Sequence, residues 1–520
     1  MSQHEDISKV YDLIVIGGGI NGAGIAVDAA GRGLKVALLE SVDFASGTSS
    51  RSSKLVHGGL RYLEYYDFRL VRESLSERER VMKKARHIVW PLRFVMPVVK
   101  QSRPAWIVRI GLFFYDHLAP RVTLQGTETV RLSKKTNRMG FREHYDKAFI
   151  YSDCWVDDAR LVVANLQGAE AEGADILART PFKNAERDGD NWLVTALDQD
   201  SGRTLKLRAN VIVNAAGPWA VPIAQSVPGV TTDYSAKLVR GSHIIVPSLY
   251  DGDNATMLQI GDGRIVVTMP YENDYTLVGT TDENHPGDPR RVEITDQEQD
   301  YLLAAANKFF TRQITADDIH WTYSGVRPLF EEGKSRDDNP TTVTRDYSFK
   351  IDQGADGKGA PFLTVLGGKL TTYRRLADHV IEKLKPFLPP DIGPAHTGTS
   401  ILPGADIGSE GPFAYAETLK LVFPWLPDTL RIRLARTYGS RVEKMLAGVE
   451  KLEDLGTVFG GNMTRREVDY LIENEWAASV EDVLWRRTKC GLRFSEDETK
   501  ALSDYIEKAR ALTAPKEAAS

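Results

Sequence analysis

Gly17, Gly19 and Gly22 stand at the spacing G-x-G-x-x-G, with Gly18 and Gly24 interleaved, between an apolar run at 13–16 and a helix-forming stretch through Ala30. A turn without side chains lets the backbone approach a pyrophosphate closely, and the free amides at a helix N-terminus meet the phosphate charge. A second apolar run at 36–39 ends in Glu40, eighteen positions after Gly22, where a carboxylate accepts hydrogen bonds from an adenosine ribose. The pattern predicts one βαβ unit that binds a dinucleotide, without distinguishing FAD from NAD.

Further candidates follow along the chain. The small, polar loop SVDFASGTSSRSSK leads into LVHGGLRYLE and delivers His57, Arg61 and Tyr62 close to that unit. An imidazole suits proton transfer near neutrality, and a guanidinium suits an anion. From spacing alone, an ordinary turn histidine and a solvated arginine read equally well. Arg327 in YSGVRPL and Arg345 in TRDY, both read as lying in short polar loops, could clamp a phosphate or carboxylate bidentately; surface salt bridges are the plainer alternative. Finally, LTVLGG places Gly367 and Gly368 at a strand end before Lys369, and a helix follows with Thr371 or Thr372 as N-cap. That N-terminus and the Lys369 ammonium would both stabilise negative charge on a bound group.

The elements that must position these residues are also legible. Val71, Leu75, Met82 and Ala85 recur at helical spacing, and Pro91 is expected to stop that helix. Residues 180–208 read as a three-stranded antiparallel meander leading into a buried strand at 211–213, an insertion more typical of FAD folds than of NAD dehydrogenases. Residues 240–282 are strand-rich and predict an antiparallel substrate-domain sheet. The Pro- and Gly-rich stretch at 385–406 marks a linker. Beyond it the chain turns helical, with a capping box at Thr464 and Glu467, a second cap at Ser479 and Asp482, and a helix stop at Gly491.

With 66 basic and 71 acidic side chains the net charge is −5, which gives no overall attraction to nucleic acid. Cys154 and Cys490 are the only cysteines, so no disulfide framework or thiolate metal cluster is expected, and a reducing compartment fits. The polar first ten residues are unlike a signal peptide, and every apolar stretch is broken before a spanning length.

Taken together, GGGINGAGIAVDAAGRGLKVALLE, SSKLVHGGLRYLE, YSDCWVDDARL, NAAGPW, YSGVRPL, TRDY, GGKLTTYR and DVLWRRTKCG resemble the bacterial aerobic, FAD-dependent glycerol-3-phosphate dehydrogenases over nearly the whole chain. The resemblance implies an α/β fold with a glutathione-reductase-like, Rossmann-type FAD domain, an antiparallel-sheet substrate domain and a helical C-terminal domain. It divides the chain into a discontinuous FAD domain (1–80, 150–232 and 346–390), a substrate domain (81–149 and 233–345) and the helical domain (391–520), with a homodimer as the expected assembly. It implies oxidation of sn-glycerol 3-phosphate to dihydroxyacetone phosphate, with electrons passed to membrane quinone. Gly17, Gly18, Gly19, Gly22 and Glu40 would hold the ADP half of FAD, with Gly367, Gly368 and Lys369 beside the flavin. Arg61, Tyr62 and Arg345 would bind the substrate phosphate, and His57 or Arg327 would act at the carbon being oxidised. The runner-up is an oxidase of the same fold using oxygen. An amine oxidase and a flavin-binding scaffold without turnover are further alternatives.

Residues 80–115 carry Arg80, Lys83, Lys84, Arg86, Arg93, Lys100, Arg103 and Arg109 with no acidic residue, interleaved with Trp90, Phe94, Trp106, Phe113 and Phe114. Apolar insertion plus attraction to anionic lipid predicts a peripheral protein on the inner face of the cytoplasmic membrane.

Overall fold

The computed structural model describes residues 9–99, 103–132, 139–261, 263–332 and 346–513. Five parallel strands run in the order Phe362–Leu366, Thr204–Asn214, Val10–Ile16, Val36–Leu39 and Asp175–Leu177, and Ser348–Asp352 closes one edge antiparallel. Because side chains alternate along a strand, Leu13 and Val15 enter a core with the helices Ile20–Ala30, Asp158–Ala171 and Tyr373–Leu384, while Ile14 and Ile16 face the other way. On that second face Trp192, Val194 and Ala196 of the expected meander complete the cover. Both faces are therefore buried, which is why these strands read as continuous apolar runs.

A second, ten-stranded sheet is almost wholly antiparallel. Its long strands Tyr234–Pro247 and Trp321–Glu332 pair over most of their length, with His243 opposite Tyr323 and Val239 opposite Arg327. Ile244 and Val246 pack with Leu302, Ala306 and Phe309 of the helix Asp296–Phe309, whereas Ile245 and Tyr323 face the opposite core. That opposite face looks toward the parallel sheet. The helices Pro412–Val422, Asp428–Tyr438, Arg465–Glu475 and Glu496–Thr513 gather around a separate core.

Several expectations are corrected locally. The amphipathic helix Phe68–Lys84 ends at Ala85, and Pro91 lies inside the strand Val89–Pro97. Thr464 caps the amide of Glu467, but the Glu467 carboxylate turns to Arg433 and the Tyr438 hydroxyl instead of returning to the cap. Ser479 and Asp482 do bond reciprocally, whereas Gly491 lies within the short helix Cys490–Arg493. The Pro-rich stretch is fastened down: Gly393 N donates to Arg32 O at 2.9 Å and Thr397 Oγ1 to buried Asp28 at 2.7 Å.

Candidate active site

The C-terminal ends of the parallel strands open onto one cavity of about 1480 Å³, roofed by the antiparallel sheet. Ligands of open α/β sheets bind at such strand ends. Gly17 and Gly19, Glu40, Ala215 and Gly367 each follow a different strand or its turn and line the cavity.

The glycine turn is dictated sterically. Gly17 has φ +110°, and a Cβ on Gly22 would lie 1.9 Å from Gly17 O. The N-cap of the following helix is Gly19, which offers no side chain to the first-turn amides; Ser49 Oγ accepts from Ile20 N at 3.0 Å, and the amides of the rest of that turn remain for a ligand. Gly18 and Gly22 shape the turn from behind and are not among the cavity-lining residues. Glu40 lines the cavity and also braces it, accepting from Gly18 N and Val42 N, both at 2.8 Å. Burial raises its carboxyl pKa above the ordinary value, against those hydrogen bonds.

His57, Arg61, Tyr62, Arg327, Gly368 and Lys369 also line this cavity. Gly367 and Gly368 have φ +80° and +104°, and Gly367 O accepts from Asn21 Nδ2 at 3.1 Å, joining the two glycine turns. Lys369 sits with its buried ammonium 3.7 Å from the Tyr62 ring centre and pairs with no carboxylate among the described residues. Its pKa is lowered by burial, against the favourable Tyr62 contact. His57 is held by its backbone: its N donates to Thr371 Oγ1 at 3.2 Å, and that hydroxyl lies 3.3 Å from His57 O. Thr371 thus fixes His57 and caps nothing, and Thr372, at the N-cap position, makes no side-chain cap. Burial lowers the His57 pKa below 6.5; Asp153 opposes this, and Lys369, Arg78 and Arg327 reinforce it. Arg327 stands on the strand Trp321–Glu332, not in a loop, on the face that carries Tyr323. Arg345 lies outside the described residues.

Three further features escaped the sequence reading. His243 lines the cavity stacked on Tyr323 at 4.5 Å, with Nε2 2.9 Å from Ser53 Oγ and a buried Nδ1 that has no partner among the described residues. Asp153, inside the apolar run of Lys147–Val156, is also cavity-lining. The third is a clamp on the loop after Glu40. Asp43 accepts from Arg486 Nε at 2.6 Å and from Arg487 Nη1 and Nη2 at 2.8 and 2.7 Å, and Phe44 meets Trp476 edge-on at 5.2 Å. Ala45 N in turn donates to Gly18 O at 3.0 Å, so the C-terminal helical domain braces the nucleotide turn. Asp153 and His243 lie within strand runs that read as packing, whereas Asp43 lies in the polar loop expected near the ligand and its partners Arg486 and Arg487 in the helical domain expected only to pack.

Residues 12–374 match the family described as FAD dependent oxidoreductase, and residues 395–512 match the C-terminal domain of alpha-glycerophosphate oxidase. The aerobic glycerol-3-phosphate dehydrogenase of Escherichia coli (strain K12) is 46% identical over 96% of this chain and 97% of its own length. The chain belongs to the FAD-dependent glycerol-3-phosphate dehydrogenase family. A second member, the D-erythritol 1-phosphate dehydrogenase of Brucella abortus (strain 2308), is 48% identical over 96% of this chain and 98% of its own. The crystal structure of the Bacillus halodurans glycerol-3-phosphate dehydrogenase with FAD matches with a TM-score of 0.72 at 27% identity, covering 97% of this chain and 95% of that one. The fold is thus that of the family: an FAD-binding α/β domain, an antiparallel substrate sheet and a helical C-terminal domain. Its cofactor is FAD, and its reaction class is the FAD-dependent oxidation of a phosphorylated polyol. The residues fit the cofactor: besides the glycine turn, Asn21 Oδ1 and His243 Nδ1 are buried polar atoms of cavity-lining residues without hydrogen-bond partners among the described residues.

Proposed function

We propose that the substrate is sn-glycerol 3-phosphate, oxidised at C2 to dihydroxyacetone phosphate, with electrons delivered to a membrane quinone. The observation that carries this reading is the buried Lys369 ammonium, which touches Tyr62 but pairs with no carboxylate among the described residues, in the same cavity as Arg61, Arg327 and His57. A buried cation is costly unless paired, and a phosphate dianion pairs with it. Lys369, Arg61 and Tyr62 bind the phosphate, with Arg345 as a further ligand. FAD, when bound, supplies the two-electron acceptor for the hydrogen leaving C2. His57, kept neutral by burial, accepts the hydroxyl proton at its imidazole. Arg327 is the alternative to His57 at the carbon being oxidised, acting as an electrostatic stabiliser of the developing alkoxide.

The Brucella relative favours a second reading, in which D-erythritol 1-phosphate is the substrate. Anaerobic bleaching of the flavin absorbance, followed with each phosphate ester, separates the two. Glycerol 3-phosphate is expected to be preferred by roughly 10- to 200-fold, the discrimination a pocket achieves against about one extra carbon unit. The reverse order would assign the four-carbon ester, and no bleaching with either would refute both. Peroxide release in air, with substrate, would replace quinone by oxygen.

Access to quinone rests on a narrower surface than the basic stretch suggested. Phe94 is buried against Tyr151, Trp90 stacks on Trp155 at 4.0 Å, Lys84 bonds Ser400, and Arg80 and Arg93 pair with Glu77 and Glu128. What faces outward is the helix Ala105–His117, where Trp106 is 66% and Phe113 51% exposed, with Ile107, Ile110, Phe114 and Arg109 beside them. No helix among the described residues is long and apolar enough to cross a membrane. This helix is the proposed bilayer contact, lying in the interface. In flotation with liposomes, binding should rise with anionic lipid, fall with salt, and be lost when Trp106, Arg109 and Phe113 become Ser, Glu and Ser. Wild-type protein that stays off anionic vesicles at low salt would overturn the assignment.

A further inference from the structure

We propose that Asp153 is the positioning residue of His57: through Gly58 it fixes the loop that carries the imidazole, and it supplies a negative charge to it. The geometry is a buried knot of three elements. Arg78, from the helix Phe68–Lys84, donates through Nη1 to Asp153 Oδ1 at 2.6 Å and to Ser152 O at 2.7 Å. Tyr115, from the inner face of the helix Ala105–His117, has its hydroxyl 2.7 and 2.9 Å from the two carboxylate oxygens. The amide of Gly58, next to His57, donates to that hydroxyl at 2.7 Å and lies 3.2 Å from Asp153 Oδ1. Asp153, Tyr115 and Arg78 are 3%, 2% and 2% exposed.

A salt bridge that merely joined strand to helix would have no need of the Gly58 amide and no place in the cavity wall, and Asp153 has both. The charges around His57 make the same point. Lys369, Arg78 and Arg327 all disfavour a proton on the ring, burial does too, and Asp153 opposes them. A base must hold the proton it takes, so the imidazole needs this carboxylate to remain useful near neutral pH. Tyr115 belongs to the unit as the uncharged strut that transmits the carboxylate's position to the loop.

The inference rests on His57 being the base, and the test separates the two claims. In holoenzyme labelled with 13C at the histidine ring carbons, the His57 signal is the one absent from His57→Gln. In Asp153→Asn its titration midpoint is expected at lower pH than in wild type, and the acid limb of anaerobic flavin reduction by glycerol 3-phosphate moves the same way. Tyr115→Phe keeps the charge, so the midpoint stays while the reduction rate falls on the order of ten- to a hundred-fold through misplacement. A midpoint in Asp153→Asn equal to or above wild type would overturn the inference, whatever happens to thermal stability. Should Asp153→Asn fail to accumulate with FAD, an unaltered rate in Tyr115→Phe overturns it. Wild-type flavin reduction in His57→Gln would instead refute the base assignment, and the midpoint shift would still decide on Asp153.

Discussion

Replacing His57 with alanine is expected to lower the rate of flavin reduction by glycerol 3-phosphate by about 10²- to 10⁴-fold, the usual contribution of a positioned general base. Substrate affinity should change little, because the imidazole meets the reacting hydroxyl and not the phosphate. The sign of the pH dependence follows from its surroundings. Burial lowers the His57 pKa, so the ring stays unprotonated, and competent to accept a proton, into mildly acidic solution. The wild-type rate should therefore hold on the acid side of neutrality and fall only below the lowered pKa; in His57→Ala this limb should disappear. Rapid-scan anaerobic mixing across pH measures both quantities. If the variant binds substrate weakly but reduces its flavin at the wild-type rate, His57 is a binding residue and not the base, and Arg327 is left as the group acting at the reacting carbon.

Gly22→Ala is expected to yield colourless protein. The added Cβ would lie 1.9 Å from Gly17 O, a backbone atom that no side-chain rotation can move aside. Relief requires the turn to open just where the cofactor's pyrophosphate sits. A distortion costing about 3 kcal/mol, within the range for strained backbone substitutions, corresponds to roughly a hundred-fold loss of FAD affinity. Gly111→Ala is the control: nothing lies within 4 Å of its added Cβ, so that variant should bind FAD as wild type does. The ratio of flavin to protein absorbance after gel filtration is the measurement. A fully yellow Gly22→Ala protein would show that the turn can widen without losing the cofactor.

The nucleotide turn was legible in sequence because its requirements are local. Glycine spacing, strand period and the acid at the second strand end all fall within about thirty residues, the size of one βαβ unit. The alternation of the long antiparallel strands was equally legible, since one face is buried and the pattern repeats every second residue. The polar cluster was harder. Arg327 reads as a loop residue because Gly325 and Pro328 flank it closely, yet a strand partner at Val239 holds that segment extended. Asp153 and His243 sit among apolar neighbours and become visible only when distant strands share one roof. Trp90 and Phe94 misled in the opposite direction. Aromatics beside arginines satisfy a membrane pattern and a core pattern alike, and only the placement of Trp155 and Tyr151 decides between them.

The clamp that joins Asp43 to Arg486 and Arg487 bears on how the chain is made. Asp43 emerges from a ribosome early, whereas its arginines are added more than four hundred residues later. At a synthesis rate of about 5–20 residues per second, that separation amounts to some tens of seconds. Throughout that interval the nascent chain holds the glycine turn but neither the loop brace nor, until Gly367 and Gly368 arrive, the second glycine turn. The brace is thereby added only at the end of translation, and a prematurely terminated product is left without a braced nucleotide site.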